Sequence, residues 1–277
     1  MSKLVQQLKP ILFPVRMIEA PTEQFSYNKN IDHLVVVDLR EGEKVVNACS
    51  KGYTLIPNIE LFKPMAEKLE QRYKVEAIIK SYRDSKFYVD FIIKDLFIQV
   101  MKGDILYPRL RAANSYDGSL TYRFNFGFFR IFCENQINAN AEILEMDEED
   151  LEGWDDIKVR HTASATEAVN KTLSGLEAFI EFAPKMKQVY KQMIKTEYTE
   201  QKAIKRLEII VDITKYPPLS TEYALQQLQK EKTKFPLNDY IIYNCLNFGL
   251  YHNPKSQMKD HKKDKVDLKV LDYILNH

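Results

Sequence analysis

Cysteine is scarce in this 277-residue chain, and the three present, Cys49, Cys133 and Cys245, stand far apart with no CxxC spacing. That pattern fits neither a disulfide framework nor a zinc site and predicts reduced core thiols. Long apolar runs are missing too. No segment approaches the roughly 18 apolar residues needed to span a bilayer, and the opening MSKLVQQLKPILFPVRMIEA has neither an uninterrupted apolar run nor a small-residue cleavage site. The expectation is a cytoplasmic protein with no membrane partner. Nor does one sign of charge dominate. The 40 basic and 39 acidic side chains nearly cancel, so any polyanion site must be a local patch. GxGxxG and P-loop patterns are absent. The five histidines (His33, His161, His252, His261, His277) offer no pair at helical spacing and no carboxylate at a metal-site offset. No metal, no cofactor and no catalytic residue set is expected, and non-enzymatic function is favoured over an enzyme of unrecognised type.

What the chain does have is aromatic and apolar content enough for a real core, at 12% and 45%. Pro10, Pro14 and Pro21 predict short extended or turn pieces at the start. His33 to Leu39 reads as a strand, with Val45 to Ala48 as its hairpin partner. Gly52 to Asn58 reads as a short strand stopped by proline, with Asn58 as N-cap of an amphipathic helix over Ile59 to Tyr73. From Lys74 the period becomes two. A hairpin is predicted over Val75–Ile79 and Phe87–Ile93, turning at Arg83-Asp84-Ser85-Lys86, and Leu96 to Val100 extends it or pairs nearby. Beyond residue 160 the period is helical. Helices are predicted from the capping box Ser164-Ala165-Thr166-Glu167 to Ile194, kinked or split at Pro184, then over Glu200–Ile213, Thr221–Lys232, Asn238–Phe248 and Val266–Leu275. Strands first and helices after, with no βαβ alternation, argue an α+β fold, an antiparallel sheet over 1–160 packed against helices over 161–277 as one structural unit.

The densest stretch is Asp104 to Gln136. Ile105 to Ala113 reads as a strand, NSYDGS as a tight turn with glycine supplying positive φ, and Leu120 to Cys133 as a long return strand. On that strand Tyr122, Phe124, Phe126 and Phe128 share a face that Arg130 continues, against Arg123, Asn125 and Gly127. Gly127 suggests a bulge or close backbone approach. The aromatic face is expected to be the floor for the helices after Glu167. The opposite face is then the place for contacts.

Between Arg72 and Phe132 there are eleven basic residues against six acidic ones. A polyanion would bind in that excess. The candidate nucleic-acid contacts are Arg83, Lys86, Arg109, Arg111, Arg123, Arg130 and Arg160, with Arg109, Arg111 and Arg123 foremost, because guanidinium groups neutralise phosphates. Cys133 lies in an apolar strand context and reads as inert core rather than nucleophile. His161 beside Arg160 precedes a helix start where an anion could sit. The eight carboxylates between Glu145 and Asp156 lack the glycine and alternating oxygen ligands of a calcium loop and read as an exposed excursion.

Four pieces in order and spacing, SKGYTLIPNIELF, NSYDGSLTY, FRIFCENQI and KVRHTASA, resemble a prokaryotic phage/plasmid-like family catalogued as domain of unknown function 932, over about residues 45 to 195. The resemblance implies a phage or mobile-element origin and no established activity, so no site residues come with it. At the level of layout the chain also looks similar to phage single-strand annealing proteins. The function this implies is a single-stranded nucleic-acid-binding protein of the annealing type, with a homo-oligomer as a further expectation. A phage protein that contacts a host protein or virion component is the alternative.

Overall fold

A computed structural model describes residues 2–21, 31–39, 42–120, 122–132, 135–138, 157–159, 165–256, 258 and 260–277. The elements, in chain order, are α1 (Lys3–Leu8), a 3-10 turn (Lys9–Ile11), β1 (Val15–Glu19), β2 (His33–Leu39), β3 (Gly42–Cys49), α2 (Asn58–Arg72), β4 (Val75–Tyr82), β5 (Lys86–Ile93), β6 (Ile98–Met101), β7 (Asp104–Ser115), β8 (Tyr122–Arg130), β9 (Asn135–Asn138) and β10 (Ile157–Val159). Helices α3 (Ala165–Met193), α4 (Glu200–Thr214), α5 (Pro218–Glu231), α6 (Asp239–Tyr251) and α7 (Asp260–Asn276) follow. Antiparallel strands in the first half and helices in the second make the chain α+β. Among the described residues, no helix is long and apolar enough to cross a membrane.

Two sheets form. β1-β2-β3 is a small antiparallel sheet, and the larger one runs β10-β8-β7-β5-β4, with β6 paired to β7 and β9 to β8. The chain divides into two compact units, the first of Met1–Leu96, Pro108–Phe126 and Asp147–Ile180, the second of Phe97–Tyr107, Gly127–Met146 and Glu181–His277.

In the first unit the alternation of β4 and β5 is resolved into faces. Phe87, Val89 and Phe91 of β5 are fully buried, and so are Leu110 and Ala112 of β7. Tyr122, Phe124 and Phe126 complete this aromatic surface, with Phe126 stacked on Phe179 of α3 at 5.9 Å. Each sealed phenylalanine contributes about 1.5–3 kcal/mol of burial. The expected floor for helix packing is therefore present.

The start of the chain has the expected turn and extended pieces around its prolines, the 3-10 turn and β1, but opens on a helix that was not expected. Ser2 accepts from the Val5 amide at 3.1 Å and opens α1, whose Leu4, Val5 and Leu8 are buried. Gln7 of this helix accepts the Ala77 amide of β4 at 2.9 Å, which covers part of the edge of the sheet. Residues 52–56 form no strand. Asn58 is not the cap of α2 either. Pro57 holds that position, and the fully buried Asn58 side chain instead donates to the Ile11 carbonyl at 3.0 Å and accepts from Asn114 Nδ2 at 2.9 Å. Its own amide is satisfied by Tyr116 Oη at 2.9 Å, and Asn114 also donates to the Ile56 carbonyl at 2.9 Å. Two of the family-like pieces, IPN and NSY, are thus fastened to each other. The NSYDGS turn itself follows its sequence, with Gly118 at φ +67° and Asp117 accepting the Ser119 amide at 3.0 Å.

In the second unit Phe128 packs edge-on against Tyr190 of α3 at 6.3 Å, and Tyr190 lies 5.4 Å from Tyr240 of α6. α6 is buried along nearly its whole length, as its tyrosine and branched-aliphatic content predicts. It approaches α5 so closely that a Cβ on Gly249 would lie 2.3 Å from the Ser220 carbonyl oxygen. Pro184 neither splits α3 nor ends it. The ring is on the exposed side while Ala183 and Met186 beside it are buried, so the proline forfeits one backbone bond where packing still holds the helix. The last helix is also longer than its apolar residues alone indicate, starting at Asp260. The expected bulge at Gly127 is not seen in the β8–β9 pairing, whose register runs without a shift from Gly127 to Arg130. β10 pairs with Tyr122–Phe124 of β8, and Gly127 is the first residue of β8 paired to β9.

Candidate functional site

Antiparallel register decides which side chains share the sheet surface opposite the phenylalanines. Asp90 of β5 lies across from Arg111 of β7 and Ile78 of β4, Tyr88 across from Ala113 and Lys80, and Lys86 across from Ser115 and Tyr82. Arg109 lies two residues from Arg111, and Arg123 and Asn125 extend the surface onto β8. All of these belong to the first unit.

At the centre is a carboxylate shared by two arginines. Arg111 grips Asp90 with both arms, Nε to Oδ1 at 2.8 Å and Nη2 to Oδ2 at 2.9 Å, and Arg109 Nη1 lies 3.6 Å from Oδ1. Arg109 also donates to Asn125 Oδ1 at 2.9 Å. Burial pushes the Asp90 carboxyl up, but Arg111, Arg109 and Lys80 outweigh it and hold the group below the ordinary carboxylate range. Two arginines thus converge on one buried carboxylate.

Around this centre, Lys80 and Arg83 are exposed, and Tyr88, Arg111 and Arg123 are half-buried. The Lys86 side chain is 38% exposed and sits 3.7 Å from Asp117, whose carboxyl is pushed up by burial but held low overall by Ser119, Lys86 and Ser85. Tyr88 has a small neighbour on one side, Ala113, and a cation on the other.

The expected contact residues therefore separate. Lys86, Arg111 and Arg123 share one surface of the sheet, and Arg83 stands at the tip of the β4–β5 hairpin, its residue in left-handed conformation at φ +53° and its carbonyl accepting from Lys44. Arg109 is a correction. It lies on the right face but has no exposed surface, so its charge serves Asp90 and Asn125 rather than a ligand's phosphate. Arg130 is a second correction, on the opposite face and in the second unit. It is fully buried, and its guanidinium is bound by Asp104 (2.8 and 3.0 Å) and by Glu231 (2.6 and 2.9 Å), with Phe132, Phe235 and Tyr240 around it. The physical reason is parity. Arg130 continues the series of aromatic residues on β8, so the packing that seals the phenylalanines seals it too. Arg160, His161, Cys133 and the acidic residues 145–156 lie outside the described residues.

Lys80 and Tyr88 went unselected in the sequence although they share the surface. The signal was available in their spacing, since both fall on the same parity as Lys86 and Asp90. Asp104 and Glu231 as partners of Arg130 had no local signal, because Glu231 is 101 residues away.

The first unit also has a cleft of about 380 Å³ between α2 and α3, where Lys68 Nζ meets Asn170 Oδ1 at 2.7 Å and Arg72 pairs with Glu177. It gathers none of the sequence candidates. Among the described residues, no group of His, Cys, Asp and Glu is placed to hold a metal ion.

The family model described as "Domain of unknown function (DUF932)" matches residues 45–262, well over half of the chain. No curated protein and no solved structure matches.

Proposed function

The chain belongs to the family described as Domain of unknown function (DUF932), and from that premise we propose that it is a non-enzymatic single-stranded nucleic-acid-binding protein of the annealing type, serving phage or mobile-element DNA metabolism. The observation that supports this most is that Lys80, Lys86, Arg111 and Arg123 share one sheet face with the half-buried Tyr88. Cations spaced along antiparallel strands follow a phosphate backbone, and a tyrosine among them offers a stacking surface for a base. Such stacking contributes roughly 1–3 kcal/mol and needs an unpaired base, which favours single strands over duplex. Arg109 supports the surface from beneath by fixing Asp90 and Asn125. Annealing would further call for two strands held by more than one copy of the chain.

Fluorescence anisotropy with labelled single-stranded and duplex oligonucleotides across a salt series tests this. The expected outcome is tighter binding of the single strand and an affinity that falls steeply with salt. Replacing Lys80, Lys86 and Arg123 together by alanine should weaken binding and flatten the salt slope by roughly one unit per lost phosphate contact. Tyr88→Leu should cost single strands about fivefold to a hundredfold and duplex little. No binding at low salt, or equal binding by all variants, would sink the reading.

A further inference from the structure

α7 seats on the rest of the second unit through an apolar seam of Val270, Leu271 and Ile274, all buried. One turn earlier the same seam contains a carboxylate. Asp267 is 2% exposed, and its oxygens accept from Tyr243 Oη at 3.1 Å and Asn247 Nδ2 at 3.0 Å, both on α6. Both donors are neutral. Among the described residues, the other ionisable groups around it bring no compensating charge. Tyr190 of α3 and Tyr216 ahead of α5 are buried phenols whose ionisation the Asp267 charge further opposes. Tyr251 of α6 donates to Asp264, and Lys263 lies over the Tyr251 ring. Arg206 of α4 is engaged by Asp239 and stacks over Tyr273. Among the described residues, no cation pairs with Asp267.

We propose that Asp267 is a proton-operated latch on the C-terminal helix: protonated, it lets α7 seat on α6, and ionised, it favours release of the helix. An uncharged carboxyl hydrogen-bonds to a tyrosine and an amide at no electrostatic cost, whereas a buried carboxylate with two neutral donors keeps most of its desolvation penalty. Burial accordingly pushes the Asp267 carboxyl up to about 7, against the lowering by Asn247 and Tyr243 and with a further push from Asp264. The sign follows from linkage. The seated helix binds the proton more tightly than the released one, so its stability is greatest below the ordinary carboxyl range, falls as pH rises toward about 7, and levels off above that. The latch therefore works close to neutrality. Opening would uncover the α6 surface around Tyr243 and Asn247.

Hydrogen exchange on the full chain, with intrinsic rates corrected, tests the latch. Protection of the α7 amides relative to those of α5 should fall at least about tenfold between about pH 5.5 and about pH 8.5, each unit of pKa shift being tenfold in the opening equilibrium. In Asp267→Asn the protection should be high and flat over that range. The same pH dependence in wild type and variant would overturn the proposal. If the variant does not fold, the carboxyl carbon of Asp267 in wild type decides alone by NMR: a midpoint near neutrality supports the latch, and one near about 4 overturns it.

Discussion

Among the described residues, one buried carboxylate is shared by two arginines in the first unit and one buried arginine by two carboxylates in the second, and the two clusters are built to opposite proportions. In the first unit Arg109 and Arg111 share the single carboxylate of Asp90, with the Arg111 side chain still 19% exposed. In the second unit the single Arg130 is shared by Asp104 and Glu231, and all three side chains are fully buried. The first sets two arginines on one carboxylate, with Arg111 reaching solvent. The second has an extra anion in a sealed interior, tolerated because both carboxylates receive two guanidinium hydrogen bonds each and Gln227 donates to Glu231 at 3.1 Å. Identical residue types are thus partly open to solvent in one place and sealed in the other. What separates them is partner count and access to water, not sequence character.

Substitutions can break this contrast in graded steps. The largest effect is expected for Arg130→Ala, which leaves two buried carboxylates without their cation. Urea unfolding should show a loss of about 3–5 kcal/mol, and folded variant should bind nucleic acid as wild type does. Asp90→Asn should come next. It removes the anion holding two arginines and should cost about 1–3 kcal/mol. It should also change the acid limb: the folded Asp90 pKa is depressed, so its contribution is present above the ordinary carboxyl range and is lost as pH falls below it, a loss that a pH series of unfolding midpoints should find in wild type and not in the variant. The smallest expected effect is that of Arg83→Asn. Asparagine tolerates the left-handed turn at this exposed position, so stability should stay within about 0.5 kcal/mol while the salt slope of binding falls by about one unit.

The sequence made the sheet faces legible because a period of two is local. Phe87, Val89 and Phe91, and again Phe124, Phe126 and Phe128, can be assigned to one side from spacing alone. Arg130 obeys the same period of two. Its parity with the phenylalanines already placed it on the packed face, yet its charge drew it into the contact set. Arg109 could not have been judged this way, since Arg111 and Arg123 on the same face are half-buried and the full burial of Arg109 is set by neighbours on other strands, Asp90 and Asn125 among them. Asn58 misled for a related reason. Asparagine before a helix is a good capping residue, but here Asn114 and Tyr116 reach it from the far end of a hairpin and recruit it into a buried network. The family-like pieces are therefore partly structural fasteners. Short α1 was missed because three prolines nearby dominate its local signal, while its stability comes from burying Leu4, Val5 and Leu8.

By itself, then, the sequence determined the α+β class, the hairpins with their turn residues, the aromatic face and the amphipathic helices, since each depends on periodicity and backbone preference over a few residues. Tertiary structure alone decided the charges. Whether an arginine presents its cation or spends it on a buried carboxylate, and whether Asp267 faces solvent or two neutral donors, depends on partners 20 to more than 100 residues away. Electrostatic free energy is set by burial and by nearby charge, and neither is local in the chain.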